Sequence, residues 1–337
     1  MGAIALSPTN IVNNQLTYDK DNTYISMSKY EESPEIMIKR GDVIFVKTGS
    51  TVGKVAYVDK MICKTTLNPQ VVVLKDIKCD NYILSVIMST RNFQNKIQRI
   101  TVGGAVPTLS QVAMGNIFIS LPAAKEQEKI SKFISLLDER ITTQNKIIED
   151  LKKLKCAIAE RLFNVTDGDS VPLTEVCTIL KGKQINGEFL SEKGKYYVMN
   201  GGTEPSGYYD KSNAPADTIS ISEGGNSCGY IQYNREAFWS GGHCYTLNNI
   251  TPNVCKLYLY HYLKSQESSI MKLRIGTGLP NIQKKDLEKF CILLPSKAKQ
   301  ESISTFLTAI ESKIANEEML QNYFQEEKLY LLRQMFI

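Results

Sequence analysis

The stretch Lys125–Phe163, KEQEKISKFISLLDERITTQNKIIEDLKKLKCAIAERLF, decides the reading of the whole chain. Ile130, Ile134, Leu137, Ile141, Gln144, Ile148, Leu151, Lys155, Ile158 and Leu162 are spaced by alternating steps of four and three. That spacing keeps one seam of a helix facing a partner helix, and eight of the ten positions are apolar. Adding 173 to each number gives Ile303, Leu307, Ile310, Ile314, Glu317, Gln321, Phe324, Lys328, Leu331 and Met335, where seven of ten are apolar and Lys155 is matched by Lys328. At about 1.5 Å per residue such a helix is roughly 58 Å long, the length of a spacer between globular parts. The bland alternative is two unrelated amphipathic core helices.

The flanks favour a repeat. Pro122, Gln127, Glu128, Ile130, Ser131, Phe133, Ile141 and Phe163 recur, shifted by 173, as Pro295, Gln300, Glu301, Ile303, Ser304, Phe306, Ile314 and Phe336. Gly103 and Pro107 recur as Gly276 and Pro280. Further upstream the shift becomes 176, aligning Thr48-Gly49-Ser50 through Gly53 with Gly224-Gly225-Asn226 through Gly229. One unit is used twice, with a three-residue length change inside it.

A chain of 337 residues with 42% hydrophobic content can bury a sizeable core and hold two domains with connectors. No apolar run is long enough to span a membrane, and the first residues lack a signal peptide's basic start, so a cytoplasmic protein with no membrane partner is expected. The eight cysteines form no CxxC pair and only two histidines are present. The thiols are therefore expected to be reduced and mostly buried, with no metal site and no cofactor. The net charge of +5 suits a polyanionic partner without proving one.

Residues 1–40 are polar, with turn signals at Ser7-Pro8-Thr9-Asn10 and Asn13-Asn14. Val43–Val46, Lys54–Val58 and Gln70–Leu74 read as strands, 81–99 as a helix and 117–119 as a short strand before the long helix. The second copy repeats this with strands at 218–221, 229–233 and 244–247, a helix near 256–273 and a strand at 290–294. Asn164–Ser170 reads as the connector.

Two loop pairs carry candidate recognition chemistry. Gly49-Ser50-Thr51-Val52-Gly53-Lys54 invites a phosphate-loop reading, but three residues stand between its glycines where that loop needs four, and Val55 follows the lysine. The second copy, Gly225–Tyr230, has no lysine. What remains is a loop of hydroxyl, amide and ammonium groups suited to phosphates and base edges, against the plain alternative of a glycine-rich strand connection. Lys47, Ser50, Thr51 and Lys54 are the candidates in one copy, Ser222, Asn226 and His243 in the other. The glycine-proline turns add Lys96, Arg99, Thr101 and Thr108, matched by Lys272, Arg274, Thr277 and Asn281; a purely structural turn explains the glycine and proline equally well. His243 has no counterpart in the first copy and no evident nucleophile beside it, so no catalytic residue is assigned.

With these residues in view, the chain resembles the specificity subunit of a type I restriction-modification system. The family's signature after each recognition domain stands here as Leu121-Pro122 with Glu126-Gln127 and as Leu294-Pro295 with Gln300-Glu301, and Gly41–Val58 is similar to a recognition-domain segment. The resemblance implies a mixed α/β (α+β) fold: two target-recognition domains, 1–121 and 170–294, separated by long antiparallel coiled-coil helices, 122–163 and 295–337. It implies a non-catalytic subunit that reads a bipartite asymmetric target in double-stranded DNA and docks two methyltransferase subunits. A restriction/translocase subunit would join through that complex. The second domain opens with Val171-Pro172-Leu173-Thr174-Glu175-Val176 and Gly182, and no counterpart precedes Gly2, so the first domain is expected to lack its start. Two rivals remain at this stage: a nucleotide-binding enzyme using Gly49–Lys54, and a protein-only coiled-coil adaptor.

Overall fold

Val43-Ile44-Phe45-Val46 is buried at all four positions, the mark of a strand covered on both faces. Val43 and Phe45 pack with Met88, Phe93, Ile97 and Leu109 on one side. Ile44 and Val46 pack with Ile4, Leu6, Ile11 and Leu67 on the other. The computed structural model describes residues 2–18, 22–276 and 278–336. It divides into two compact units, Met1–Asn145 with Leu320–Ile337, and Lys146–Met319.

The first unit contains β1 (Ala3–Leu6), β2 (Ile11–Val12), β3 (Gln15–Leu16), β4 (Thr23–Ile25), α1 (Met27–Glu31), β5 (Val43–Val46), β6 (Val55–Tyr57), β7 (Thr65–Leu67) and β8 (Val71–Leu74). Helices α2 (Asn81–Ser89), α3 (Arg91–Ile100), α4 (Gln111–Gly115) and the start of α5 (Ala124–Asn164) follow. The strands form two sheets, β4-β1-β7 and β2-β3-β6-β5-β8. Three sequence expectations need correction. The described residues of the polar segment 1–40 form four strands, because pieces of two to four residues are too short for periodicity to register. The expected single helix over 81–99 is two: Thr90 is extended (φ −67°, ψ 152°), closing α2 through its N–H to Ile87 and capping α3 through its hydroxyl. Residues 117–119 form no strand.

The second unit contains β9 (Asp169–Pro172), α6 (Leu173–Val176), β10 (Thr178–Lys181), β11 (Tyr196–Met199), β12 (Tyr208–Tyr209), β13 (Thr218–Ser222), β14 (Ile231–Asn234), β15 (Trp239–Ser240) and β16 (Cys244–Asn248). Then come α7 (Lys256–Ser265), α8 (Glu267–Met271), α9 (Lys284–Glu288), β17 (Cys291–Leu294) and α10 (Lys297–Met335). The helix expected over 256–273 again breaks in two. Strand register repeats between units: Phe45 faces Val55 as Ile221 faces Ile231, and Val46 faces Val71 as Ser222 faces Cys244. β13 differs from β5 in sending Ile219 and Ile221 into the core while its other face is polar, with Asn234 Nδ2 donating to Thr218 O and Ser220 Oγ, both at 2.9 Å. That satisfies groups which would otherwise be costly to bury.

In both units the long helices meet antiparallel. Within the first, α5 and α10 are joined by Asp138 with Lys328 and Asn145 with Gln321, one number rising as the other falls. Within the second, Lys155 pairs Glu311 and Lys152 pairs Glu318. The lysine matched across the repeat thus meets a carboxylate that is also matched, Asp138 and Glu311 being 173 apart. A tyrosine joins each pair: Tyr82 donates to Asp138 (2.6 Å) and Tyr260 to Glu311 (3.1 Å). All the named apolar seam residues, Ile130, Ile134, Leu137, Ile141, Ile148, Leu151, Ile158 and Leu162 with Ile303, Leu307, Ile310, Ile314, Phe324, Leu331 and Met335, are buried or half-buried.

The signature glutamines explain themselves structurally. Gln127 accepts from Asp80 N at 2.9 Å and donates to Pro122 O at 2.8 Å. Gln300 accepts from Cys255 N at 2.8 Å and donates to Pro295 O at 2.9 Å. Each ties the first turn of α2 or α7 to the start of the long helix.

His261, 2% exposed, contacts Thr308 through Nε2 at 2.9 Å. Burial pushes its pKa down to about 4, outweighing the pull of the Glu311 carboxylate and joined by Lys155. The fold therefore favours neutral imidazole. Its contribution is fully present above the ordinary pKa near 6.5 and is lost as pH falls through about 4, on the order of 3 kcal/mol in all. Denaturant melts between pH 7.5 and 4 are expected to show wild type losing more stability than His261→Gln; parallel losses would refute this.

Candidate nucleic-acid interface

The loop after β5 folds back because Gly49 and Gly53 adopt φ of +106° and +101°, as Gly225 and Gly229 do at +78° and +91°. The left-handed φ is what requires glycine, and the second position is also close-packed: a Cβ on Gly53 would meet the Gln94 side chain, and one on Gly229 would lie 2.9 Å from Met271 Cγ. In both copies the loop closes on itself, Gly53 N to Val46 O (3.0 Å) and Gly229 N to Ser222 O (2.8 Å). The glycine spacing is thus a backbone requirement.

The glycine-proline turn is stitched onto this loop in both copies. Gly49 N donates to Pro107 O at 2.9 Å and Leu109 N to Lys47 O at 2.8 Å. Correspondingly, Gly225 N donates to Pro280 O at 3.0 Å and Ile282 N to Glu223 O at 2.9 Å. Bridges Thr48–Thr108 and Gly224–Asn281 complete the match. The third segment is the start of β8 or β16: Lys47 N donates to Gln70 O (2.8 Å) and Glu223 N to His243 O (2.9 Å). Each unit therefore presents one three-segment frame.

On the first frame Ser50 and Thr108 are exposed, Lys47 and Thr51 half-buried, and Arg99 is exposed on α3. Two candidate lysines are engaged within the protein. Lys54 Nζ donates to Ile11 O at 3.2 Å, and Lys96 Nζ to Phe118 O at 2.8 Å. Thr101 uses its hydroxyl on Ile97 O (2.8 Å). On the second frame Asn226, His243, Lys272 and Asn281 are exposed. Ser222 is 5% exposed and donates to Gly201 O at 2.6 Å, so its candidacy as a surface contact is corrected: the alternation of β13 points it inward. Arg274 Nε holds Cys228 O at 2.8 Å, bracing the loop much as Gln94 Nε2 holds Gly53 O at 2.8 Å. Thr277 lies outside the described residues.

Sequence reasoning missed Glu223. Its side chain, 12% exposed, lies 2.5 Å from Lys181 Nζ and accepts from Tyr245 Oη at 3.3 Å. Its Oε2 is 3.4 Å from His243 Nδ1 without hydrogen-bond geometry, leaving that oxygen with no donor among the described residues. Burial and this carboxylate raise the pKa of Tyr245, which keeps its hydroxyl a donor. The signal was available: the shift of 176 that aligns the glycines puts Glu223 opposite Lys47. Cysteine expectations also change. All eight thiols are free, but only Cys177, Cys228 and Cys244 are buried, and Cys156 and Cys291 are exposed. No helix among the described residues is long and apolar enough to cross a membrane.

A mixed α/β unit used twice, each with a glycine loop braced against a glycine-proline turn and a long helix after it, defines the class of protein. The sequence model for the type I restriction modification DNA specificity domain matches residues 6–153 and 167–323, and the chain belongs to that family. A putative type I specificity subunit of Mycoplasma genitalium is 36% identical over 138 residues, 40% of this chain and 36% of that protein. One from Mycoplasma pneumoniae is 36% identical over 136 residues, again 40% and 36%. The match spans little more than a third of the length of these two relatives. A putative type I restriction enzyme specificity subunit of Methanocaldococcus jannaschii is 24% identical over 86% of this chain and 76% of its own. Among solved structures, the S subunit of a type I restriction-modification system from M. genitalium superposes with a TM-score of 0.69 at 18% identity, covering 100% of this chain and 92% of that one. Another, described as a type I R-M system, gives 0.59 at 17%, covering 99% and 91%.

Proposed function

We propose that this chain reads double-stranded DNA at two places, one per frame, as the recognition subunit of a type I restriction-modification complex. The observation that carries the reading is one backbone frame presented twice with unlike side chains: Lys47 and Gln70 on the first, Glu223 and His243 on the second. A lysine there donates to guanine O6 or N7, whereas on the second frame Glu223, its Oε2 buried and its Oε1 held by Lys181 and Tyr245, sets the charge beside the exposed His243, whose imidazole contacts the bases. Unlike readers on like frames imply a bipartite, asymmetric target. Residues 1–121 and 170–294 serve as recognition domains, and 122–163 and 295–337 as the spacer between them. Lys272 and Arg99, exposed beside the turns, serve phosphates and add salt-dependent affinity.

The long helices dock two methyltransferase subunits. Phe133 and Phe306 are 49% and 50% exposed, and Ile147 and Leu320 are 38% and 36% exposed, each pair separated by 173. Repeated apolar exposure at matched positions suits two copies of one partner. A restriction/translocase subunit joins through that complex, and methylation and cleavage belong to the partners. Native mass spectrometry with the methyltransferase is expected to give two copies bound, one copy after Phe133→Asp or Phe306→Asp, and none after both. Two copies retained in the double variant would reject this docking face.

A further inference from the structure

The glycine-proline turns repeat more than their backbone. Val102 and Val106 of the first turn recur, shifted by 173, as Ile275 and Leu279 of the second. Val102 is 70% and Val106 60% exposed; Ile275 is 45% and Leu279 84% exposed. A single exposed aliphatic side chain needs no explanation. Aliphatic side chains exposed at the same two positions of a repeat do, because leaving them in water forgoes the free energy that burial would supply.

Each turn is a rigid two-stranded tip. Val102 N donates to Thr108 O at 3.0 Å and Thr108 N to Val102 O at 2.8 Å; Ile275 N donates to Asn281 O at 2.9 Å and Asn281 N to Ile275 O at 3.0 Å. Gly103 and Gly276 reverse the chain at φ of +104° and +92°, and a proline with fixed φ follows Val106 and Leu279 directly. The carbonyl of that proline is the one that accepts from Gly49 N or Gly225 N. Each aliphatic side chain therefore stands one residue from the bond that fastens the turn to the reading loop.

The chemistry around the tips suits DNA better than a protein partner. Arg99 and Lys272, matched and exposed, stand three residues before Val102 and Ile275. Residues 99–109 and 272–282 contain no acidic side chain, and Glu223, the carboxylate on the adjoining frame, is mostly buried and held by Lys181. A cation beside an uncharged tip pairs a phosphate contact with a base contact. The major groove admits a two-stranded ribbon, and the apolar group that a base pair offers there is the thymine C5-methyl.

Resting on the two-frame reading above, we propose that Val106 and Leu279 are specificity-determining residues, each packing on the C5-methyl of one thymine in the half-site read by its own frame. The polar groups of the frame read donors and acceptors, and the tip reads the methyl. Each half-site therefore contains an A·T pair under its tip.

The test uses the full chain assembled with its methyltransferase, and duplexes of the motif which that complex methylates. Each thymine in turn is replaced by deoxyuridine, which removes the methyl and keeps the base pairing. One thymine in each half is expected to be sensitive, uridine weakening binding about fourfold, the worth of one buried carbon. Val106→Ser should abolish that sensitivity in one half only, and Leu279→Ser in the other half only. Both positions lie on the surface, where the fold tolerates the change; the uridine series on the wild-type protein tests the contact independently of any substitution. A half-site without thymine, a half-site indifferent to uridine, or sensitivity that survives the serine variants would overturn the proposal. So would loss of methyltransferase copies from those variants in native mass spectrometry, which would make the tips a protein contact. A continuous palindromic motif would remove the two-frame reading and this proposal with it, whereas a bipartite motif whose halves ignore uridine defeats this proposal alone.

Discussion

Leu307→Asp is expected to destabilise the second unit by about 4 kcal/mol or more, and Ile134→Asp to do the same to the first. The two positions are 173 apart and both are 0% exposed. Each substitution buries a carboxylate in the seam, so the group must desolvate as an ion, take up a proton, or open the helix pair. Leu136→Asp, at a position 56% exposed on α5 beside Ile134, is the control and should stay within about 0.5 kcal/mol. Urea midpoints measure all three. An Ile134→Asp midpoint equal to that of Leu136→Asp would mean that the seam is not the structural axis of its unit.

The second large effect concerns specificity. Glu223→Lys reverses the charge at the base of the second frame, removes the acceptor of Lys181 and Tyr245, and copies the residue of the first frame. In the assembled complex it should weaken binding to the wild-type target by the cost of one or more mismatched positions, about 1–3 kcal/mol each or roughly tenfold to a hundredfold. Duplexes altered in the half-site read by the second frame should regain affinity, while the other half-site stays as it was. Competition binding at fixed salt distinguishes this from a general gain of affinity for DNA, which an added lysine on a non-reading surface would give.

The parts legible in the sequence are those with long periodicity or repetition. The seam was legible because ten positions in each helix share one spacing; the recurrence of Lys155 as Lys328 was visible too, but the carboxylates they meet, Glu311 and Asp138, emerged only from the structure. The central strands were legible from β-branched runs such as Val71-Val72-Val73. Strands β1–β4 were not, since Ala3–Leu6 owes its state to two neighbours, Thr23–Ile25 and Thr65–Leu67, that are distant in sequence. Residues 117–119 have strand composition, but the counterpart β17 is a strand by virtue of β9, and the first unit shows no such partner among the described residues. At the recognition frames, the loops and turns were found separately; what sequence could not give is that Gly49 N meets Pro107 O, which makes them one surface. Ser222 was misassigned because β13 is buried on both faces, one of them polar, so a hydroxyl near a loop looked like a surface contact.

The most direct measurement is methylation sequencing of genomic DNA from cells expressing this chain with its methyltransferase, in wild-type form and as Glu223→Lys. The expected result is a motif in two unlike halves with a fixed unspecified gap, of which the substitution alters one half and leaves the other half and the gap unchanged. A single continuous palindromic motif, or a substitution that changes both halves together, would contradict the two-frame reading.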